Sequence, residues 1–283
     1  MVSREAWIAV SKEQLVIAQL SDIHCGDPRF DSGLMQALVD EVEELGPDLV
    51  VVSGDLTSDG FAEQFEAARD WISQLTCTRK IVVPGNHDAR NVGLVHFDTE
   101  FAAHFERTVI RSPEGRGSML LLGCDTSKPD LNQGELGRGR LAWLSDEMKT
   151  STAELKVLVI HHHLVSVPGT GRERNILWDA GDLLEVLSEC RVDLVLCGHR
   201  HVPYVWHVNG IVVAMSGTAC THRTRGRTPP SFNIVRVGPD SIEVTMRNTG
   251  MSTQRAVTFP RRPPADRAPA LARRGRAVAA MAT

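Results

Sequence analysis

The chain has 283 residues, of which 42% are hydrophobic and 23% charged, and its formal net charge is −4. These values are typical of a globular domain with a sizeable core, and the acidic balance disfavours nucleic acid as a partner. Every apolar run is much shorter than the roughly 20 residues of a membrane-spanning helix, so we expect no membrane span. Six cysteines without a C-x-x-C pair predict reduced thiols and a cytoplasmic protein.

Short apolar strands alternate with amphipathic helices over the first two thirds of the chain. The predicted strands cover 15–20, 49–52, 81–83, 119–122, 157–160 and 192–197. The predicted helices cover 34–45, 61–75, 97–105, 141–148 and 181–190. The strand runs are continuous and β-branched, which is typical of an α/β fold whose sheet is buried on both faces.

The pattern changes after residue 201, where strands follow one another without intervening helices. They cover 202–208, 211–215, 232–237 and 242–246. Asn209-Gly210 between two of these runs is a strong hairpin signal, so we expect an antiparallel finish that packs as a second sheet. We predict one domain over 1–259. Residues 260–283 are rich in Pro, Ala and Arg and predict a flexible C-terminal tail.

Five short groups of metal-binding side chains follow predicted strands. They are Asp22-Ile23-His24, Gly54-Asp55, Gly85-Asn86-His87-Asp88, His161-His162-His163 and Gly198-His199-Arg200-His201. Each group alone is a weak signal, because turns and helix caps use the same residues. Together they predict one site, since ligands in sheets of this kind collect at the carboxyl ends of the strands. Mixed oxygen and imidazole ligands suit Mn, Fe, Zn or Co better than Ca or Mg.

The ordered set D-x-H, G-D, G-N-H-D, H-H and G-H-x-H resembles the calcineurin-like metallophosphoesterase superfamily, over residues 22–201. Within it the chain most resembles the bacterial class III cyclic-nucleotide phosphodiesterases and glycerophosphodiesterases. Its G-N-H-D group differs from the G-N-H-E of the Ser/Thr protein phosphatases, and residues 54–60 lack their D-R-G ending. The resemblance implies a four-layer α/β/β/α sandwich, in which two mixed sheets are flanked by helices.

The resemblance also implies two divalent metal ions and a role for each ligand. Asp22, His24 and His201 would bind the first ion, Asn86, His161 and His199 would bind the second, and Asp55 would bridge them. Because three histidines stand in a row, a register shift of one residue would make His162 the ligand instead of His161.

The same resemblance assigns the residues around the reacting phosphate. His87 would face the scissile phosphate as a catalytic residue, and Asp88 would orient its ring. Asn86 and His87 are candidate substrate contacts. Independently of the resemblance, His222 is a third candidate, because it could approach the site from the antiparallel half of the chain.

We therefore expect a dinuclear metal-dependent phosphodiesterase that acts on a small-molecule phosphoester, a cyclic nucleotide or a glycerophosphodiester, through metal-activated hydroxide. Three alternatives stay open: a phosphomonoesterase, a nucleotide pyrophosphohydrolase and a non-catalytic metal-binding module. The substrate choice depends on loops 89–117, 125–139 and 164–178, where Arg172 and Arg174 are candidates for binding a distal phosphate. Metal identity and self-association stay open.

Overall fold

The computed structural model describes residues 2–7, 14–101, 105–111, 118–170, 175–225 and 228–262, with the backbone alone for 2–7 and 105–111. Arg172, Arg174 and most of the predicted tail lie outside these residues. The division at residue 259 stays a prediction.

The described part contains two sheets and five helices. The strands are β1 (Val2–Trp7), β2 (Leu15–Leu20), β3 (Leu49–Ser53), β4 (Lys80–Val83), β5 (Phe105–Arg111), β6 (Ser118–Cys124), β7 (Leu155–Val159), β8 (Leu194–Cys197), β9 (Tyr204–Val208), β10 (Ile211–Met215), β11 (Ser231–Val237), β12 (Ser241–Asn248) and β13 (Gln254–Pro260). The helices are α1 (Ser32–Leu45), α2 (Ala62–Ser73), α3 (Gly93–Phe101), α4 (Gly137–Thr150) and α5 (Ala180–Glu189).

Both sheets are mixed. The six-stranded sheet has the order β13-β12-β11-β2-β3-β4, and the seven-stranded sheet has the order β1-β5-β6-β7-β8-β10-β9. β2, β3 and β4 run parallel to one another, as do β6, β7, β8 and β10. β11 joins β2 in antiparallel register, so the end of the chain completes the sheet that its beginning started.

Three apolar clusters separate the four layers of the molecule. The cluster between the sheets joins side chains such as Val51 and Ile81 to Leu121 and Val157. A second cluster packs α1, α2 and α3 on the six-stranded sheet, and a third packs α4 and α5 on the seven-stranded sheet. The expected α/β/β/α sandwich with two mixed sheets is confirmed.

Local signals explain where the elements end. Asp31 caps α1 by accepting hydrogen bonds from the backbone N–H groups of Gly33 and Leu34, and Gly46 closes the helix in the left-handed conformation at φ 56°. The strands at the centre of each sheet are continuously buried, as their Val- and Leu-rich runs predict.

One predicted helix is wrong in its extent. The helix predicted over 97–105 lies at Gly93–Phe101, and Phe105 begins β5 instead. β1, β5 and β13 were not predicted, because β1 and β13 are edge strands and all three carry polar residues among the apolar ones. Their sequences therefore lack the continuous apolar run by which the central strands were found.

The buried side-chain amide of Gln19 links the two sheets. The side chain of Gln19, on β2, donates to the carbonyls of Cys197 (2.9 Å) and Ala214 (3.2 Å) in the other sheet. Asn233 donates to Gln19 Oε1 (2.9 Å) and to the Met215 carbonyl (3.1 Å). Each of these bonds satisfies a buried polar group, and together they set how one sheet lies on the other.

Candidate metal centre

The polar groups converge because five parallel strands end at the same edge of the sandwich. β2, β3 and β4 bring Asp22, Asp55 and Asn86 from one sheet, while β7 and β8 bring His161 and His199 from the other. All seven expected ligands are at least 93% buried, since their relative exposures are 7% or less.

The backbone at this edge is held in an uncommon conformation. Five of the seven expected ligands have a positive φ, namely Asp22 (54°), His24 (53°), Asp55 (53°), His199 (77°) and His201 (56°). Non-glycine residues rarely adopt this left-handed region, and its cost is tolerated mainly at functional sites. The concentration of strained residues at one edge is thus an independent sign of function.

Four of these residues form a first potential ligand group. One ligand atom each from Asp22, His24, Asp55 and His201 lies within 4.8 Å of the others. His24 Nε2 is 3.0 Å from His201 Nε2, and Asp22 Oδ1 is 3.1 Å from His201 Nε2. Asp55 Oδ2 completes the group at 3.7 Å from His24 Nε2.

A second potential ligand group shares Asp55. It consists of Asp55, His161 and His199, again with ligand atoms within 4.8 Å of one another. Asp55 Oδ2 lies 3.3 Å from His161 Nε2. Asn86 Oδ1 adds an uncharged oxygen, at 2.8 Å from His199 Nδ1 and 3.2 Å from His161 Nε2. The same carboxylate oxygen therefore faces both groups.

The histidine tautomers of the first group test whether these residues suit a cation. Nδ1 of His24 donates to the Thr57 carbonyl at 3.3 Å, and Nδ1 of His201 donates to the Arg223 carbonyl. In the neutral rings both Nε2 atoms then carry lone pairs, which face each other at 3.0 Å. Such a pair is repulsive unless a cation lies between the two nitrogens, so the donor set fits a metal ion.

The charges of the second group lead to the same conclusion. Burial by itself would raise the pKa of Asp55, but the adjacent His161, His87 and His24 hold it well below its usual range. Burial would lower the pKa of His161, yet the Asp55 carboxylate raises it to about 9. A buried carboxylate that retains a proton on its neighbour in this way is a site that attracts positive charge.

His161 and His162 have different environments. Nδ1 of His161 donates to the Ser53 carbonyl (2.8 Å), which turns Nε2 toward Asp55 and Asn86. Both ring nitrogens of His162 face the 125–139 loop, with Nδ1 2.8 Å from Thr126 Oγ1 and Nε2 3.2 Å from the Asn132 carbonyl. The structure thus brings His161, and not His162, into the ligand group.

His87 lies beside the first group. Its ring centroid is 4.6 Å from that of His24, and its backbone N–H donates to Asp55 Oδ1 at 2.8 Å. Its Nδ1 donates to the Ser58 carbonyl at 2.6 Å, and burial lowers the pKa of the ring. Because Nδ1 donates to a carbonyl, Nε2 is the ring nitrogen that is turned to other partners.

The expectation that Asp88 orients the His87 ring is wrong. The Asp88 carboxylate accepts from the backbone N–H groups of Leu56, Thr57 and Gly85, at 3.1, 2.9 and 2.9 Å, and from the Thr57 hydroxyl at 2.7 Å. The Ser58 carbonyl orients the ring instead. Asp88 holds together the two loops that carry Asp55 and His87, which positions the ligands through the backbone.

His222 is placed away from the ligand groups. Its side chain is 61% exposed, and its Nε2 lies 3.0 Å from the Asp31 carboxylate at the start of α1. Among the described residues, its contacts link it to this helix cap and to the Arg29 carbonyl. These contacts do not connect it to the ligand groups, and its role as a substrate contact stays a prediction.

Two residues that sequence reasoning missed contact the site. Asn132 Oδ1 accepts from the Asn86 side-chain amide at 3.3 Å, which directs Asn86 Oδ1 toward His161 and His199. Arg90 Nη2 lies 3.2 Å from His87 Nε2. Arg90 stands two residues after the G-N-H-D group, and this proximity in sequence was the available signal; Asn132 had none beyond its place in a long polar loop.

Glycine is required at two places where chains approach the ligands. A Cβ on Gly54, whose φ is 94°, would lie 2.5 Å from His161 Nδ1. A Cβ on Gly198 would lie 2.6 Å from Asp22 Oδ2. Both glycines allow the ligand strands to pack closer than any other residue would permit.

A two-sheet sandwich with a buried His/Asp/Asn cluster at its strand ends defines a metal-dependent phosphoesterase. The known proteins agree, because residues 15–203 match the family of calcineurin-like phosphoesterases. The chain belongs to this family of phosphoric ester hydrolases, and the expected enzyme class is confirmed.

Proteins similar to the chain include phosphodiesterases, and a solved phosphatase shares its fold. Over 201 residues it is 29% identical to a probable cyclic nucleotide phosphodiesterase of Synechococcus sp., covering 68% of this chain and 75% of that protein. Over 252 residues it is 26% identical to a cAMP/cGMP dual specificity phosphodiesterase of Mycobacterium tuberculosis, covering 80% and 77%. A purple acid phosphatase from yellow lupin superposes with a TM-score of 0.64 at 14% identity, covering 88% and 54%, which shows the fold alone.

None of the helices in the described part of the chain has the length and hydropathy that a bilayer crossing requires.

Proposed function

We propose that the chain is a dinuclear metal-dependent phosphodiesterase that hydrolyses a cyclic nucleotide or a glycerophosphodiester-like substrate. The observation that carries the proposal is the pair of ligand groups that share Asp55 Oδ2. A shared carboxylate oxygen is the arrangement that holds two cations about 3.5–4 Å apart for phosphoryl chemistry.

The geometry supports one assignment of the ligands. Asp22, His24 and His201 would hold one ion, Asn86, His161 and His199 would hold the other, and Asp55 would be shared by both. His161 is assigned instead of His162 because its Nε2 faces Asp55 and Asn86, whereas His162 is bonded to the 125–139 loop.

Cations held there would supply Lewis acidity, which would lower the pKa of water and neutralise charge on the phosphate. The chain's own residues arrange the reactants around that centre. His87 borders the first ligand group at the side of His24, and its ring is fixed by the Ser58 carbonyl, so it presents Nε2 in one direction. Asp88 keeps the Asp55 and His87 loops in register, and Asn132 keeps the amide oxygen of Asn86 turned toward the histidines.

Support for a diester substrate comes from the relatives. The names of the two relatives described above specify cyclic nucleotides, and one of them specifies both cAMP and cGMP. Another similar protein is a probable glycerophosphodiester phosphodiesterase of Arcobacter nitrofigilis, 27% identical over 161 residues. The metal ligands alone do not separate diesters from monoesters, since both present the same phosphate oxygens.

The first test is hydrolysis of bis(p-nitrophenyl) phosphate by the full chain with Mn²⁺, before and after treatment with a chelator. We expect metal-dependent turnover that His87→Ala lowers by about 10²–10⁴-fold in kcat/KM. His207→Ala is the matched control, because His207 is exposed on β9 and stacks on Phe259, remote from the ligands. Turnover that survives complete metal removal, or that is equal in His87→Ala and the control, would refute the proposal.

The second test is a substrate panel for the metal-loaded protein. Cyclic nucleotides, glycerophosphodiesters, phosphomonoesters and nucleotide-sugar pyrophosphates are compared by kcat/KM. A preference for either diester class by tenfold or more supports the proposal. A preference of that size for monoesters or pyrophosphates overturns the substrate class while leaving the metal centre in place.

A further inference from the structure

The position of Arg90 beside His87 carries an inference about substrate recognition. Arg90 Nη2 lies 3.2 Å from His87 Nε2, the ring nitrogen turned away from the Ser58 carbonyl. Arginine has five N–H donors and no acceptor, so the contact requires that Nε2 accept and that the guanidinium donate. The Nδ1 contact fixes the same tautomer independently.

Because Nε2 accepts from Arg90, the His87 ring presents an acceptor and not a donor on this side. The Arg90 guanidinium is a hydrogen-bond donor beside this nitrogen. His87 borders His24, one of the ligands, with ring centroids 4.6 Å apart, so the guanidinium lies at the margin of the cluster.

Arg90 is held rigidly while part of it faces solvent. Its Nη1 donates to the Ser58 carbonyl and to Asp59 Oδ1, both at 3.0 Å. The side chain is 30% exposed, whereas His87 is 5% exposed. Its contacts with described residues use three of its five donors, which leaves Nε–H and the second hydrogen of Nη2 to bind a ligand.

We propose that Arg90 is a substrate-binding residue, whose guanidinium donates to a non-bridging oxygen of the substrate phosphate while His87 Nε2 and Asp59 hold it in place. This inference rests on the proposed function. It also gives His87 an indirect role, because His87 then acts on the phosphate partly by positioning Arg90. The planar, paired donors of a guanidinium suit two phosphate oxygens better than the single ammonium of lysine does.

The test compares Arg90→Met and Arg90→Lys with the full-length wild-type chain, loaded with Mn²⁺. For bis(p-nitrophenyl) phosphate we expect Arg90→Met to raise KM by roughly 10- to 100-fold, as for loss of a charged hydrogen bond, with a smaller change in kcat. Arg90→Lys should raise KM by a few-fold only. Arg69→Met is the control, because Arg69 is 46% exposed on α2 and pairs with Asp70 and Glu100.

Two further readouts are available. The first does not depend on turnover, and the second distinguishes a role in binding from a structural role. A calorimetric titration of Mn²⁺-loaded protein with inorganic phosphate should show that Arg90→Met weakens phosphate binding by the same factor by which it raises KM. Added guanidinium chloride at millimolar concentration should partly restore the KM of Arg90→Gly. Mn²⁺ affinity should be equal in the wild type and in all Arg90 variants, because Arg90 touches no ligand of the proposed metals.

Unchanged KM and unchanged phosphate binding in Arg90→Met would overturn the inference, as would a loss confined to kcat without guanidinium rescue. If Arg90→Met does not fold, Arg90→Lys decides the question, since equal KM and phosphate binding in Arg90→Lys and the wild type would contradict a paired donor. Absence of diester turnover in the wild type would refute the proposed function, whereas the phosphate titration would still test Arg90.

Discussion

The proton held by His161 should make metal binding depend steeply on pH. In the metal-free protein burial disfavours its charged form, but Asp55 at 3.3 Å outweighs burial and raises the pKa to about 9. The proton must leave before Nε2 can bind a cation. At pH 7 the apparent affinity should therefore be about 50-fold weaker than at pH 9, or about 2 kcal/mol, and it should improve by up to about tenfold per pH unit in this range.

The assay is calorimetric titration of chelator-stripped protein with Mn²⁺ at pH 7 to 8.5, in two buffers of different ionisation enthalpy. We expect about one proton released per protein at pH 7 from this group, and less at higher pH. His207→Ala should retain the slope, and His161→Gln should lose it because glutamine has no proton to release. Affinity that is constant across this range, without proton release, would refute the reasoning.

The same pKa gives a prediction for the stability of the metal-free protein. Because the folded pKa of His161 is raised above 6.5, its contribution to the free energy of unfolding is fully present below pH 6.5 and is lost as pH rises through about 9. The shift corresponds to about 3 kcal/mol, which denaturant unfolding at pH 6 and pH 9 would measure.

Three further substitutions test the architecture of the site and fold. Asp55→Asn removes the charge that both ligand groups share, so bound Mn²⁺ measured by mass spectrometry should fall from two per chain to one or none; two retained ions would contradict a bridging role. Asn132→Ala frees the Asn86 amide, and calorimetry should show the proposed Mn²⁺ site that includes Asn86 losing roughly 3- to 10-fold in affinity at unchanged Tm; equal affinity would remove Asn132 from the site. Asp31→Ala deletes the α1 cap and should cost about 1 kcal/mol in urea unfolding, while Asp31→Asn, which can still cap, should cost less.

The central strands of this molecule were predicted well because strands buried on both faces have a simple sequence pattern. The central strands are buried on both faces and read as unbroken apolar runs, and parallel strands end at one edge. The edge strands β1 and β13 and the strand β5 mix polar and apolar residues, so they escaped notice. The extent of α3 was wrong for a related reason, because Phe105 continues the apolar sequence although it belongs to β5.

The partners of the site residues were less predictable than the residues themselves. Asp88 follows His87 directly, yet its carboxylate turns to the backbone of residues 56, 57 and 85, because that loop presents N–H groups that need acceptors. Such contacts depend on loop conformation, which the sequence pattern does not encode. Asn132 is a further example, since 46 residues separate it from the amide it orients.

The joining of β2 to β11 has a consequence for the order of events during synthesis. The two strands pair residues such as Gln19 and Asn233, which are more than 200 positions apart in the chain. The last expected ligand, His201, is made before β11 emerges, but β2 is still an unpaired edge at that moment. The ligand residues are therefore all made before the sandwich closes. Because pairing between distant residues is slow, the open backbone edge of β2 must be kept from other partners until the final strands are made.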